Sequence, residues 1–224
     1  KQGPYSIGVI NIQTRDEKTT GAPGTNFSVV RVRRDILGRS TIGALFTDRS
    51  ESAKKPGEHN DLFGIDGLFT FFQNVRFNTY AARTRTPQLT KDDWSYRGQF
   101  DYAADRYGLT VERLKVGGDF NPEVGFMRRL DFTKSDAQVR FSPRPRRGGV
   151  FGRRVRKFYY IGTLNYFQTG TGRLESRDFN GEFRTEFQTS DSLSVQYFKN
   201  YDFLEAPFQI ATGVRLPEIG RAHV

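Results

Sequence analysis

The chain contains no cysteine, one methionine, one tryptophan and two histidines in 224 residues. Without cysteine there is no disulfide framework, thiol nucleophile or zinc-thiolate site. His59 stands in a polar stretch and His223 near the carboxy terminus, neither with neighbours at metal-ligand spacing. No segment approaches the roughly 18 apolar residues that a spanning helix needs, which excludes a helical membrane protein. No phosphate-cradling loop with a Lys-Ser or Lys-Thr ending occurs. A secretory signal is also missing at the start, where Lys1-Gln2-Gly3-Pro4 leads at once into a strand pattern. An exported protein with that start is expected to be a processed chain or, the reading preferred here, an internal piece of a longer one.

Phenylalanine and tyrosine are abundant, with 21 Phe and 10 Tyr, and these residues favour strands over helices. From Trp94 onward, Trp94, Tyr96, Gly98, Phe100 and Tyr102 alternate with Ser95, Arg97, Gln99 and Asp101. After a turn at Ala103 to Arg106, Tyr107, Leu109 and Val111 alternate with Gly108, Thr110 and Glu112. Side chains along a strand point to opposite faces with period two, so the hairpin has one aromatic and one charged face. The pattern recurs in strand after strand of about ten residues, as expected of a transmembrane barrel with lipid outside and a polar lumen inside. An apolar content of 36% and a mean hydropathy of −0.64 fit such a barrel, since only alternate strand residues meet lipid.

The candidate strands are 5–14, 27–34, 39–48, 62–72, 75–85, 94–103, 107–116, 126–131, 136–142, 155–167, 173–188 and 193–204. Tight links are expected at Asp35 to Gly38, Gln73-Asn74, Ala104-Asp105 and Thr133 to Ser135; longer polar connections occupy 15–26, 49–61, 86–93, 117–125 and 143–154. This alternation matches the short turns and long loops of outer-membrane barrels. It breaks near the end, where Thr169 to Gly172 and Ser190-Asp191 are both short, so that either one strand is misplaced or one outer loop is trimmed.

Face assignment follows from parity. Val30, Val32, Tyr96, Phe100, Tyr102, Leu109, Val111, Phe179, Phe183 and Phe187 are expected to face lipid. Arg31, Arg33, Arg97, Gln99, Asp101, Glu182, Arg184 and Glu186 are expected to face the lumen. Mixed charges of this kind suit a wide, wet interior, because an unpaired ion in a dry core costs several kcal/mol. The competing architecture is a large antiparallel sheet with one solvated face packed on another layer.

A net charge of +10 raises the possibility of nucleic-acid binding. Single-strand binders place cations and aromatics on one surface, whereas Tyr96 and Phe100 have opposite parity to Arg97, and Phe183 to Arg184. No nucleic-acid partner is expected.

Several segments carry a family resemblance. They are Tyr5-Ser6-Ile7-Gly8, the run from Asn26 to Ser40, Ile42-Gly43-Ala44-Leu45-Phe46-Thr47, Asp119 to Phe126 with Arg128-Arg129, and Arg140 to Pro145. Together they resemble a functionally uncharacterised bacterial family, the domain of unknown function 5916, across nearly the whole chain. The resemblance implies a barrel-like region in the bacterial outer membrane that follows a family-nine-like carbohydrate-binding module in full-length members. It supplies no established activity.

The residues of those motifs read structurally. Pro122 cannot donate to a ladder, so Phe120-Asn121-Pro122-Glu123 belongs in a loop or at a strand end. Glu123 is expected to pin that loop by pairing with Arg128 or Arg129; a catalytic role would need a second placed acid or base. The densest positive patch is Arg144, Arg146, Arg147, Arg153, Arg154, Arg156 and Lys157, broken by Gly148, Gly149 and Gly152. It is a candidate site for lipopolysaccharide phosphates or another anionic partner, weighed equally against a solvated flexible loop. Asp92-Asp93 and Asp48 with Glu51 could hold calcium weakly but are more often simply hydrated. Glu182 and Glu186 lie along one strand with Arg184 between them, which points to an ion-pair ladder and not to the two walls of a glycosidase cleft.

The sequence is therefore read as one domain over residues 1–224, an antiparallel all-β transmembrane barrel of about twelve strands in the bacterial outer membrane. It is expected to act as a pore or as an anchor for a carbohydrate-recognising module, with lipid and other protein subunits as partners and no cofactor. A saccharide hydrolase acting through a companion module and a soluble β-rich binding protein are the alternatives.

Overall fold

A computed structural model of the chain describes residues 3–19, 21–146, 148–149, 151–203, 208–211 and 214–216. Among these residues the chain is all-β. Eleven strands form one antiparallel sheet in sequence order: β1 (Tyr5–Gln13), β2 (Asn26–Ile36), β3 (Ser40–Arg49), β4 (Asn60–Phe71), β5 (Val75–Arg85), β6 (Trp94–Ala103), β7 (Tyr107–Val116), β8 (Phe132–Phe141), β9 (Val155–Thr169), β10 (Leu174–Phe187) and β11 (Ser192–Asp202). β12 (Phe208–Ala211) and β13 (Val214–Leu216) pair separately. The order is linear, with β1 and β11 at its ends, and the sheet is not closed among the described residues.

One expected strand does not form. Residues 126–131 belong to the β7–β8 connection, and Thr133 to Ser135, expected as a turn, lie inside β8. The segment before β8 spends its donors elsewhere: the Asn121 and Glu123 amides donate to side chains of β5 and β4. Asp131 then takes a left-handed φ of 58°, which ends that connection just before Phe132 begins the strand. Removing this strand moves the later connections to the opposite sheet end. Residues 142–154 thus join β8 to β9 at the end of the short β6–β7 turn, as shown by Arg144 reaching Asp105. The expected sequence of short and long connections therefore holds through β7–β8 and is reversed for the next two.

The chain divides into two compact units, Lys1–Gln99 with Leu114–Phe132, and Phe100–Arg113 with Thr133–Val224. In the first, rows of directly opposed residues share a face. One row runs Ile7, Val32, Ala44, Ile65 and Ala81 across five strands, and the next Val9, Val30, Phe46, Phe63 and Arg83. On the other face Ser6, Arg33, Gly43, Asp66 and Tyr80 are aligned. In the second unit Tyr160, Phe183 and Val195 form an apolar row, while Tyr159, Arg184 and Ser194 form the neighbouring row on the opposite face.

Several of the most buried side chains are polar, and many large apolar ones are exposed. Asn60, Thr84 and Ser95 are fully buried, whereas Ile65 in a central strand is 66% exposed. The apolar residues that are buried, Leu62, Val116, Phe120, Phe132 and Val155, are few among the described residues.

Candidate functional site

The polar face carries connected charges in each unit. In the first, Arg31 pairs with Asp66, and the Tyr80 hydroxyl shares a 3.0 Å hydrogen bond with Ser95. In the second, Thr110 donates to Asp101 at 3.0 Å, and Lys134 pairs with Asp136 and approaches Glu112 at 3.8 Å. Arg184 lies 3.7 Å from Glu182, while Glu186 is taken by Arg156 at 2.8 Å and by the Tyr159 hydroxyl at 3.1 Å. The ladder read from the sequence thus reaches from Arg184 to Glu182, and a cation from β9 serves Glu186.

Strand parity separates the residues as follows. Tyr96, Phe100 and Tyr102 of β6, Leu109 and Val111 of β7, and Phe179 and Phe183 of β10 share parity with the aromatic rows; Phe187 follows a register shift after Glu186. Arg31, Arg33, Arg97, Gln99, Asp101, Glu182, Arg184 and Glu186 have the opposite parity. Arg97 also donates to Gln99. The separation of cations from aromatics fails at strand ends. Arg34 lies over Tyr5, Arg83 over Trp94, Arg85 over Phe63, and Arg106 over both Tyr107 and Phe141, at 5.3 to 5.6 Å. It fails inside the second unit as well, where Arg184 lies 4.5 Å over the Tyr159 ring opposite it, so the sequence argument against a surface combining cations with aromatics holds only in part.

Within the first unit, the β7–β8 connection builds an enclosed polar site with β3, β4 and β5. Gly117 permits the entry: a Cβ there would stand 2.0 Å from the Asp92 carbonyl oxygen. Phe120 is then buried, and the Asn121 amide donates to the Thr84 hydroxyl at 3.0 Å. Asn60 donates to the Asn121 carbonyl at 3.0 Å and accepts from the Glu123 amide at 3.1 Å. The Glu123 carboxylate, with a side chain only 4% exposed, accepts from the Ser52 hydroxyl, the Ala53 amide and the Asn121 amide group, and pairs with Arg49 at 3.3 Å. Pinning by Glu123 is therefore real, but its cation is Arg49 and not Arg128 or Arg129. The reason is that its anchors, Ser52 and Asn60, lie in and after the β3–β4 connection. Among the described residues, the hydrogen bonds of this site converge on the single carboxylate of Glu123.

The basic connection before β9 is only partly available. Arg144 forms a two-pronged bond with Asp105 at 3.0 and 3.2 Å, and the Lys157 ammonium reaches the same carboxylate at 2.7 Å. Hydrogen bonds from Arg144 and Lys157 hold the Asp105 carboxyl far below the usual carboxylate range. Arg156 is committed to Glu186. Arg153 and Arg154 are exposed and line a hollow with Phe151 and Phe158; Arg146 is exposed as well, and Arg147 lies outside the described residues.

The carboxylates considered for calcium are engaged otherwise: Asp92 with Lys115 at 3.2 Å, Asp93 with Arg83 at 2.9 Å, and Asp48 with His59 at 2.9 Å. Among the described residues no group of three or more histidine or acidic side chains could hold a metal ion. His223 lies outside them. Among the described residues no helix is long and apolar enough to cross a membrane, which says nothing about a barrel. No protein-family model, curated protein or solved structure matches the chain.

Proposed function

We propose that the chain is most of a β-barrel of the bacterial outer membrane, its aromatic face against lipid and its polar face toward a wet interior. The observation that carries this reading is the inverted burial, with Asn60, Thr84 and Ser95 at 0% exposure and Ile65 at 66%. Water makes such an arrangement costly, because exposed apolar area is worth about 25 cal/mol per Å² when removed from it. Lipid removes that cost. The strands, 9 to 15 residues from β1 to β11, match the roughly 9–11 residues a tilted strand needs to cross a bilayer. Arginines over Tyr5, Trp94 and Tyr107 at strand ends suit the interfacial aromatic girdles of such proteins. The resemblance to the domain of unknown function 5916 adds that the barrel anchors a carbohydrate-recognising module.

The loop pinned by Glu123 covers Asn60 and Thr84 on the polar face, and the passive role proposed is that of a pore or a membrane anchor. Expression behind an export signal tests the membrane reading. The expected outcome is sedimentation with outer membranes and release by detergent alone; recovery as a detergent-free soluble monomer defeats it.

A further inference from the structure

At the short-turn end of the second unit, the β8–β9 connection folds back over the end of the aromatic face. Phe151, 65% exposed, meets Phe158 edge-on at 6.4 Å, and Phe158 stacks on Phe183 at 6.2 Å. Thr185 and Phe187 complete the floor of a hollow of about 840 Å³, with Arg153 and Arg154 at its rim. Backbone hydrogen bonds join the described residues of the connection. The Gly152 amide donates to Gly149 at 3.1 Å, the Arg154 amide to Phe151 at 3.1 Å, and the Arg154 carbonyl accepts from the Gln188 amide at 2.8 Å.

The same connection sorts its cations. Arg144, Arg156 and Lys157 are committed to carboxylates, whereas Arg153 and Arg154 are exposed and have no carboxylate partner among the described residues. Two such guanidinium groups beside an aromatic floor fit an amphiphile. A soluble polyanion would use only the cations, and a neutral lipid only the floor.

Resting on the membrane reading above, we propose that this hollow seats one anionic glycerophospholipid of the leaflet at the short-turn end. Its phosphate lies between Arg153 and Arg154, which match phosphate oxygens with paired donors, and an acyl chain lies along Phe158 and Phe187.

The test folds the full chain into phosphatidylcholine vesicles with or without phosphatidylglycerol, exchanges it into detergent, and measures retained lipid by native mass spectrometry. Phosphatidylglycerol is expected to be retained in preference to phosphatidylcholine, with excess inorganic phosphate failing to displace it. In the R153Q/R154Q variant the preference should fall about tenfold or more, since a basic residue near an anionic surface is worth about 1 kcal/mol and 1.4 kcal/mol is tenfold. Arg15→Gln, a neutralisation in the β1–β2 connection, should leave it unchanged. Should the double variant not fold, Arg154→Gln alone serves, with a smaller loss expected. Equal retention of the two lipids, an unchanged preference in the variants, or displacement by inorganic phosphate overturns the proposal. A chain that fails to float with vesicles of either composition defeats the membrane reading instead.

Discussion

Arg31 of β2 and Asp66 of β4 form an ion pair that spans the intervening strand, passing over Gly43 of β3. A Cβ on Gly43 would stand 2.6 Å from the Arg31 guanidinium and 2.9 Å from the Asp66 carboxylate, so the absent side chain is what lets the two charges meet. The pair joins strands that share no backbone hydrogen bond and fixes their registers against each other.

A double-mutant cycle on Arg31→Gln and Asp66→Asn should therefore give a coupling of about 0.2–1 kcal/mol, the range for pairs that keep access to water. Both side chains are about one third exposed, 36% and 32%, which sets that modest range. In a Gly43→Val background the coupling should vanish. Denaturant unfolding of the bilayer-embedded chain measures it, and a coupling that survives the valine would show that the pair does not pass over Gly43.

Glu123 should be the most costly single removal in the β7–β8 connection. Hydrogen bonds to a charged group are worth about 1.5–3 kcal/mol, so Glu123→Ala, which leaves Arg49 and the Ala53 amide without their acceptor, should lose about that much. Gly117→Ala should cost about 1–3 kcal/mol by overpacking, because the Asp92 backbone has to move. For both variants, limited proteolysis should cut between residues 117 and 131 faster than in the parent protein. Protection unchanged from the parent would refute the pinning.

Acid should weaken the short-turn end of the second unit through Asp105. Its carboxyl is held low first by the hydrogen bond from Arg144 and then by that from Lys157. The folded state accordingly binds fewer protons than the unfolded chain near the ordinary aspartate pKa of about 3.9. The resulting stability is fully present above that pH and is lost as pH falls below it. Asp105→Asn should remove that contribution at neutral pH, differ least from the parent in acid, and so flatten the fall in stability below about pH 4. A parallel acid limb in the variant would dismiss the linkage.

Strand identity was legible wherever apolar and polar residues alternated, which is why β1 to β7 and β9 to β11 lie close to their expected positions. Phe126 to Leu130 misled because several large side chains stand together without alternation, while the backbone ahead of them is committed to Thr84 and Asn60. The partners of Glu123 were not legible. Ser52 is 71 positions away and Asn60 63, and no local pattern relates residues so far apart. The basic connection was visible as a charge cluster, yet its division into committed and exposed arginines depends on Asp105, 39 positions before Arg144. Gly43 and Gly117 left no signal beyond being glycine, since a close approach exists only once the strands are paired.

The decisive measurement for the aromatic face compares two kinds of exposed position. Ile65 is 66% exposed and Val195 60%, the latter opposite Phe183. Gln196, the next residue along β11, is exposed on the other face and opposite Glu182. If both faces met water, arginine at any of the three positions would change stability by less than about 0.5 kcal/mol, the usual range for surface substitutions. If the aromatic face meets lipid, Ile65→Arg and Val195→Arg should each cost roughly 2–4 kcal/mol near the midplane, and less near an interface. Gln196→Arg should be nearly silent or slightly stabilising, because it adds a cation opposite a carboxylate. Val195 and Gln196 are adjacent on one strand, so differences in strand propensity largely cancel between them. Equal, small effects at all three positions would mean that no lipid-facing surface exists, and a larger loss at Gln196 would mean that the faces are reversed.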